Sequence, residues 1–322
     1  MIVITGGMGF IGSVLLSKFN QNKIKHIIIV DEFDNTDKWK NLLKKKFIDL
    51  IDKYEFLEKL KNKKFIKNIK TIIHLGACSN TTETDMNFLY NTNTKYSQDL
   101  LYYCLENNIR FIYASSAAVY GNGKFGFSDS NELTPLLEPL NKYGFSKWLF
   151  DNFLVQNNYS DLVAGLRFFN VFGPNEYHKG NMRSVIYNAY FEAINLNKIF
   201  LFKSNDFNIK DGEQKRDFIY VKDVVDIIFY FYENYKLNGI YNIGTGNAET
   251  FNSLANFVFQ SINKKINIEY IEMNENIKNQ YQNFTQADIT KLRQTGYKKE
   301  FFDFKNAIDD YIKGYLITNS YL

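Results

Sequence analysis

A tyrosine and a lysine four residues apart, in Tyr143-Gly144-Phe145-Ser146-Lys147, fall on one face of any helix that carries them. An ammonium beside a phenol favours the phenolate and brings its pKa down from about 10. Tyr143 is therefore a candidate acid/base, able to take a substrate hydroxyl proton while hydride leaves the same carbon. Ser116, in Ser115-Ser116-Ala117-Ala118-Val119-Tyr120-Gly121, lies 27 residues upstream at the end of an apolar run and can hydrogen-bond the same oxygen. Tyrosine and lysine at this spacing are common by chance, and a second motif gives the pair its weight. Gly6-Gly7-Met8-Gly9-Phe10-Ile11-Gly12 spaces glycines as GxxGxxG directly after the apolar run Ile2–Thr5. Such a turn lets backbone approach a pyrophosphate, whose charge then rests on amides at the start of a helix. Gly6, Gly9, Phe10, Ile11 and Gly12 are the candidate contacts.

Asp31 closes the next apolar run, Ile27–Val30, about 20 residues after the glycines, where a carboxylate reaches the adenosine ribose hydroxyls of NAD. Lys38 and Lys53 argue for NADP, since either can meet a 2′-phosphate, and the residues alone leave the two dinucleotides open. Ile73-His74-Leu75-Gly76-Ala77-Cys78-Ser79 ends a further strand in small residues, so a cofactor can lie across Leu75, Gly76, Ala77, Cys78 and Ser79. His74, within the apolar run, reads as a satisfied core histidine. Thr92 and Asn93, early in the following helix, can support that strand end or the cofactor.

The elements that must position these groups follow from the alternation of apolar runs with helical patterns. Ile2–Thr5, Ile27–Val30, Thr71–Leu75, Phe111–Ser115 and Leu162–Phe169 are apolar throughout, as strands covered on both faces are, and predict an α/β fold with a doubly wound parallel sheet. After Gly173-Pro174 the rhythm loosens, and a second, smaller α/β unit for substrate is expected from near Val171. Residues 1–170 form the dinucleotide-binding unit and 171–215 with 246–322 the substrate unit; Asp217–Tyr220 and Ile240–Ile243, within 216–245, are expected to return to the first.

At 322 residues, 45% hydrophobic and 23% charged, the chain is globular rather than disordered or fibrous. It begins without a basic leader and holds no bilayer-length apolar stretch, which predicts a soluble, unexported protein with no membrane partner. Cys78 and Cys104 are too few for a disulfide framework, fit a reducing cytoplasm, and make poor metal ligands, so no metal is expected. Lys38–Lys70 carries twelve lysines against four carboxylates, read as a solvated face; no aromatic-interleaved stripe accompanies it, and no nucleic acid is expected.

The glycine turn, Ser116 and the Tyr143–Lys147 pair together resemble the extended short-chain dehydrogenase/reductase family, which works mostly on nucleotide sugars. Dehydratases of that family carry an acidic pair just after the serine or threonine; here Ala117 and Ala118 occupy those places, and elimination is disfavoured. Four further stretches resemble the ADP-glycero-manno-heptose 6-epimerases over essentially the whole chain: Gly76 to Glu83, His178-Lys179-Gly180-Asn181-Met182, Tyr241-Asn242-Ile243-Gly244-Thr245-Gly246, and Tyr281 to Asp288. That resemblance implies epimerisation of ADP-heptose through a 6-keto sugar with tightly held NADP, on the way to the lipopolysaccharide inner core, in a homopentamer. It implies Asp31, Glu32, Lys38 and Lys53 at the adenosine end, with Val171 and Lys179 also near the cofactor. It makes Lys179 a second acid/base, since hydride must leave one face of carbon 6 and return to the other. It implies Ser116, Asn170, Asn181, Asn188, Phe202, Lys203, Ser204, Asn205, Arg216 and Tyr281 as substrate contacts, with the planar fork of Arg216 suited to a diphosphate. Asn188 stands where the family often has His, and Ser204–Lys215 is longer than usual, so contacts to the ADP moiety are expected to be rearranged.

Overall fold

A computed structural model describes residues 1–278 and 281–322. Its strands are β1 (Ile2–Thr5), β2 (Ile27–Asp31), β3 (Asp49–Asp52), β4 (Thr71–His74), β5 (Arg110–Ser116), β6 (Ala164–Phe168), β7 (Asn170–Phe172), β8 (Ile199–Phe202), β9 (Lys215–Tyr220), β10 (Gly239–Ile243), β11 (Ala248–Thr250) and β12 (Ile268–Ile271). Seven form one parallel sheet in the order β10-β6-β5-β4-β1-β2-β3. Alternate residues of β1 feed two cores. Ile2 and Ile4 pack with Phe19 and Val224 of the helices Phe10–Gln21 and Val221–Glu233, while Val3 packs with Phe56, Leu100 and Phe150 on the other face. Both faces are covered, which is why the central strands read as largely apolar runs without alternation.

Three features differ from the sequence expectation. β3 is an additional edge strand; with Asp at both ends and only Ile51 buried, it gives almost no apolar signal. The lysine-rich stretch is accordingly more than a solvated face, since Lys38 is buried. Of the two returning segments, β10 joins the large sheet beside β6, but β9 does not. It pairs parallel with β7 and antiparallel with β11 in a separate three-stranded sheet, because the chain turns away after Phe168 and carries β7 beyond the large sheet. β8 and β12 make a third, two-stranded sheet. No helix among the described residues is long and apolar enough to cross a membrane.

Beneath the helix Lys142–Gln156 lies an ion pair, Arg167 Nε to Asp151 Oδ2 at 2.8 Å, with both side chains fully buried. Asp151 also accepts from Tyr113 Oη at 2.9 Å and Ser115 Oγ at 2.8 Å, and Arg167 donates to Tyr120 Oη and Thr134 Oγ1. Removing one member of a buried pair strands the other charge at a cost of about 3–5 kcal/mol. Asp151→Ala should therefore lower unfolding free energy by about that much in urea denaturation; a loss under about 1 kcal/mol would show that the pair is dispensable.

Candidate active site

The glycine turn lies where β1 meets its helix. Gly6 has φ +67°, and a Cβ there would stand 2.6 Å from Gly76 N; a Cβ on Gly12 would fall 2.2 Å from Gly6 O. The two strand ends thus approach at backbone distance, and the helix Phe10–Gln21 starts at Gly9 with no side-chain cap, leaving its first amides free for an anion. These residues fit a dinucleotide phosphate. They open on a cleft of about 700 Å³ at the carboxyl ends of the strands. Its walls include Gly6, Gly9, Phe10, Ile11, Gly12, Asp31, Glu32, Lys38, Lys53, Leu75, Gly76, Ala77, Cys78, Ser79, Thr92, Ser116, Tyr143, Lys147, Asn170, Val171 and Lys179.

At the end of the cleft lined by Asp31, the acid and the lysines prove to be partners rather than rivals. Lys38 Nζ reaches Asp31 Oδ1 at 3.0 Å and Asp34 Oδ2 at 2.6 Å, and Lys53 pairs with Glu32 at 2.7 Å. Asp31 also accepts from the amides of Met8 and Glu32, at 2.8 and 2.9 Å. Burial pushes its carboxyl up against the pull of Lys38.

At the other end Asn141 caps the helix Lys142–Gln156, accepting from Gly144 N at 2.7 Å, so Tyr143 sits half-buried in the first turn with Lys147 one turn on. The two share the cleft, but Lys147 Nζ donates to Ala114 O at 2.9 Å, and burial takes its pKa down to about 8. The expected lowering of Tyr143 by this ammonium is not found: burial raises the phenol, and its bond with Ser116 is what pulls it back. Lys179 lies on the short 3-10 segment Tyr177–Met182, its Nζ 5.6 Å from the centre of the Phe10 ring, and burial lowers its pKa against the pull of Glu176.

A buried polar chain joins the two ends. Gly76 N donates to Thr5 Oγ1, whose hydroxyl donates to His74 Nδ1 at 2.6 Å. His74 Nε2 donates to Ser97 Oγ, and that hydroxyl to Asn93 O. Asn93 clamps Cys78 N and O and donates to Ser146 Oγ, which donates to Tyr143 O at 2.7 Å. His74 is thus a neutral core histidine, as read, its pKa held near 3 by burial. Asn93 supports the wall from behind instead of lining it. Thr5 and Ser97 carry no signal in the sequence, because each finds its partner, His74, in a distant segment.

Arg216 is buried, 5.0 Å from the Tyr281 ring centre, and no carboxylate pairs with it among the described residues. Asp217 is no partner: it accepts from the amides of Thr245, Gly246 and Ala287, drawing together two of the sequence motifs. Arg216 and Tyr281 line a second cavity of about 170 Å³ with Thr81, Ala118, Leu140, Asn141 and Gln282. Asn181, Asn188, Phe202, Lys203, Ser204 and Asn205 line neither cavity. Asn181 and Asn188 are exposed, Lys203 pairs with Glu272, Ser204 closes its own loop onto Asp211, and Phe202 meets Tyr281 edge-on. Among the described residues no group of His, Cys, Asp and Glu is placed to hold a metal. Gly12→Ala should force the turn open and lower retention of nucleotide by at least about tenfold in ultraviolet spectra of the purified protein; unchanged retention would refute the role of the turn.

A sequence model described as the NAD dependent epimerase/dehydratase family matches residues 2–244. A protein of Fusobacterium nucleatum named ADP-L-glycero-D-manno-heptose-6-epimerase is 46% identical, covering 100% of both chains. One of the same name from Nitratidesulfovibrio vulgaris is 42% identical over 98% of each. The crystal structure of Helicobacter pylori ADP-L-glycero-D-manno-heptose-6-epimerase superposes with a TM-score of 0.79 at 28% identity, covering 97% of this chain and 95% of that one. With a glycine turn, a serine-bonded tyrosine and a full-length likeness on one parallel sheet, the chain belongs to the NAD dependent epimerase/dehydratase family.

Proposed function

We propose that this protein is an isomerase that interconverts ADP-D-glycero-manno-heptose and ADP-L-glycero-manno-heptose at carbon 6, through a transient 6-keto sugar and a nicotinamide dinucleotide in the large cleft. The convergence of Ser116, Tyr143 and Lys179 on that cleft carries the reading, in a chain similar over its full length to proteins of that name. A nicotinamide held in that cleft would supply reversible hydride transfer at carbon 6. The chain moves the proton. Ser116 Oγ and Tyr143 Oη hold the carbon-6 oxygen, and Tyr143, whose ionised form the Ser116 bond favours against burial, takes its proton in one orientation. The ketone must turn over to present its other face, and there the Lys179 ammonium gives the oxygen a proton. Arg216, buried without a carboxylate, offers the diphosphate a bidentate donor. Ala117 and Ala118 give no group for eliminating water.

We assign NADP to the cleft on family likeness; the oxygens of Asp31 are already engaged by two amides and Lys38, and a 2′-phosphate at that rim would compete with Asp34 and Glu32 for Lys38 and Lys53. In this scheme residues 1–170 hold the dinucleotide, 171–215 and 246–322 the sugar nucleotide, and 216–245 serve both. A homopentamer in a reducing cytoplasm, feeding the lipopolysaccharide inner core, completes the proposal on family likeness; light scattering should give five times the chain mass.

Incubation with either epimer should yield the other on chromatography, and no solvent deuterium should enter carbon 6; absent conversion or incorporated label would reject the scheme. Tyr143→Phe should lower turnover by about 10²–10⁴-fold with cofactor retained, and wild-type activity would remove Tyr143 from its role. Denaturing the purified protein should release a dinucleotide with the mass of NADP; the mass of NAD would overturn that assignment.

A further inference from the structure

Lys179 sits on a loop with little order of its own. Its 3-10 segment is broken at Gly180, and Gly173, Asn175 and Gly180 take φ of 138°, 76° and 54°. Left-handed residues so closely spaced are not a locally preferred path, so contacts outside the loop must set where the lysine lies.

Those contacts converge on Glu176. Its side chain is fully buried and accepts from Gly173 N at 3.4 Å, Ser184 Oγ at 2.7 Å, Tyr311 Oη at 3.0 Å and Ser184 N. Gly173 and Ser184 are the two ends of the loop, and Tyr311 closes the helix Phe304–Tyr311 of the last part of the chain. The Glu176 carbonyl accepts from Lys179 N at 3.1 Å, fixing the backbone from which the lysine projects. Asn175, also buried, ties the same turn to the glycine-loop helix through Ser13 Oγ at 2.9 Å. A buried carboxylate with this many donors resists displacement, since moving it would leave a charge and several polar groups unpaired.

We infer that Glu176 is the positioning residue for Lys179: one carboxylate clamps Gly173, Ser184 and Tyr311 and so holds the lysine at the cleft beside Phe10. The inference rests on the proposed role of Lys179 as the second acid/base. The two charges also support each other: Lys179 favours the ionised form of Glu176, and Glu176 the protonated form of Lys179, each against the effect of burial.

Glu176→Gln replaces one acceptor with a donor that clashes with a donating partner, and Tyr311→Phe removes a single donor more gently. Both variants, purified with cofactor bound, are treated with acetic anhydride, and acetylation of Lys179 is followed by peptide mass spectrometry against exposed Lys44 as an internal reference. Lys179 should react at least about threefold faster in Glu176→Gln and by less in Tyr311→Phe, while kcat per bound cofactor falls by about tenfold or more with KM within about threefold. A merely structural role would reduce the yield of folded enzyme but leave Lys179 labelling and kcat of the folded fraction at wild-type values, and that result overturns the inference. If Glu176→Gln does not fold, Tyr311→Phe decides by the same two readouts. Failure of the wild type to convert ADP-heptose would sink the proposed reaction and leave the labelling comparison to decide whether Glu176 places Lys179.

Discussion

Asp151 is the group on which the geometry of the site depends. Its carboxylate takes hydrogen bonds from Tyr113 and Ser115 of β5 and an ion pair from Arg167 of β6, while its own helix carries Tyr143 and Lys147 two turns and one turn earlier. A helix packed on a sheet by apolar contacts alone could slide by part of a turn at small cost, since such burial is non-directional. Buried ionic hydrogen bonds cannot slide. They register the helix against the strand that ends in Ser116, and so set the Ser116–Tyr143 contact.

The buried chain from Gly76 through Thr5, His74, Ser97 and Asn93 to Ser146 ties the glycine-loop end of the sheet to the same helix. Each donor in it has one acceptor, so a neutral His74 is the only form that completes the pattern, in keeping with a pKa near 3. The glycine-turn side of the cleft is thus cross-linked to the helix by buried hydrogen bonds. An epimerisation that turns its ketone over needs this asymmetry: walls that stay put around one reactant that moves. The two acid/base candidates accordingly come from unrelated elements, Tyr143 from a helix locked to the sheet and Lys179 from a loop closed by Glu176.

Electrostatics inside the site departs most from what spacing suggests. Tyrosine and lysine four residues apart imply a phenol lowered by an ammonium, yet Lys147 points its proton at Ala114 O, and burial dominates both groups. The rivalry of Asp31 with Lys38 and Lys53 likewise dissolves into ion pairs that also recruit Asp34 and Glu32.

By itself the sequence determined the parallel sheet, the glycine turn and the helix that carries Tyr143 and Lys147. These are local: apolar runs covered on two faces, a turn that only glycine permits, and residues one helical turn apart. It did not disclose β3, whose charged ends hide a strand with one buried side chain, nor that β9 leaves the large sheet to pair with β7. Nor did it disclose Asp151 or Glu176, although each stands three or four residues from a lysine already singled out, because their partners lie in distant segments. Which carboxylate meets which donor, and therefore which proton is held more or less tightly, depends on burial and on groups brought together from far along the chain, and only the folded chain decides those.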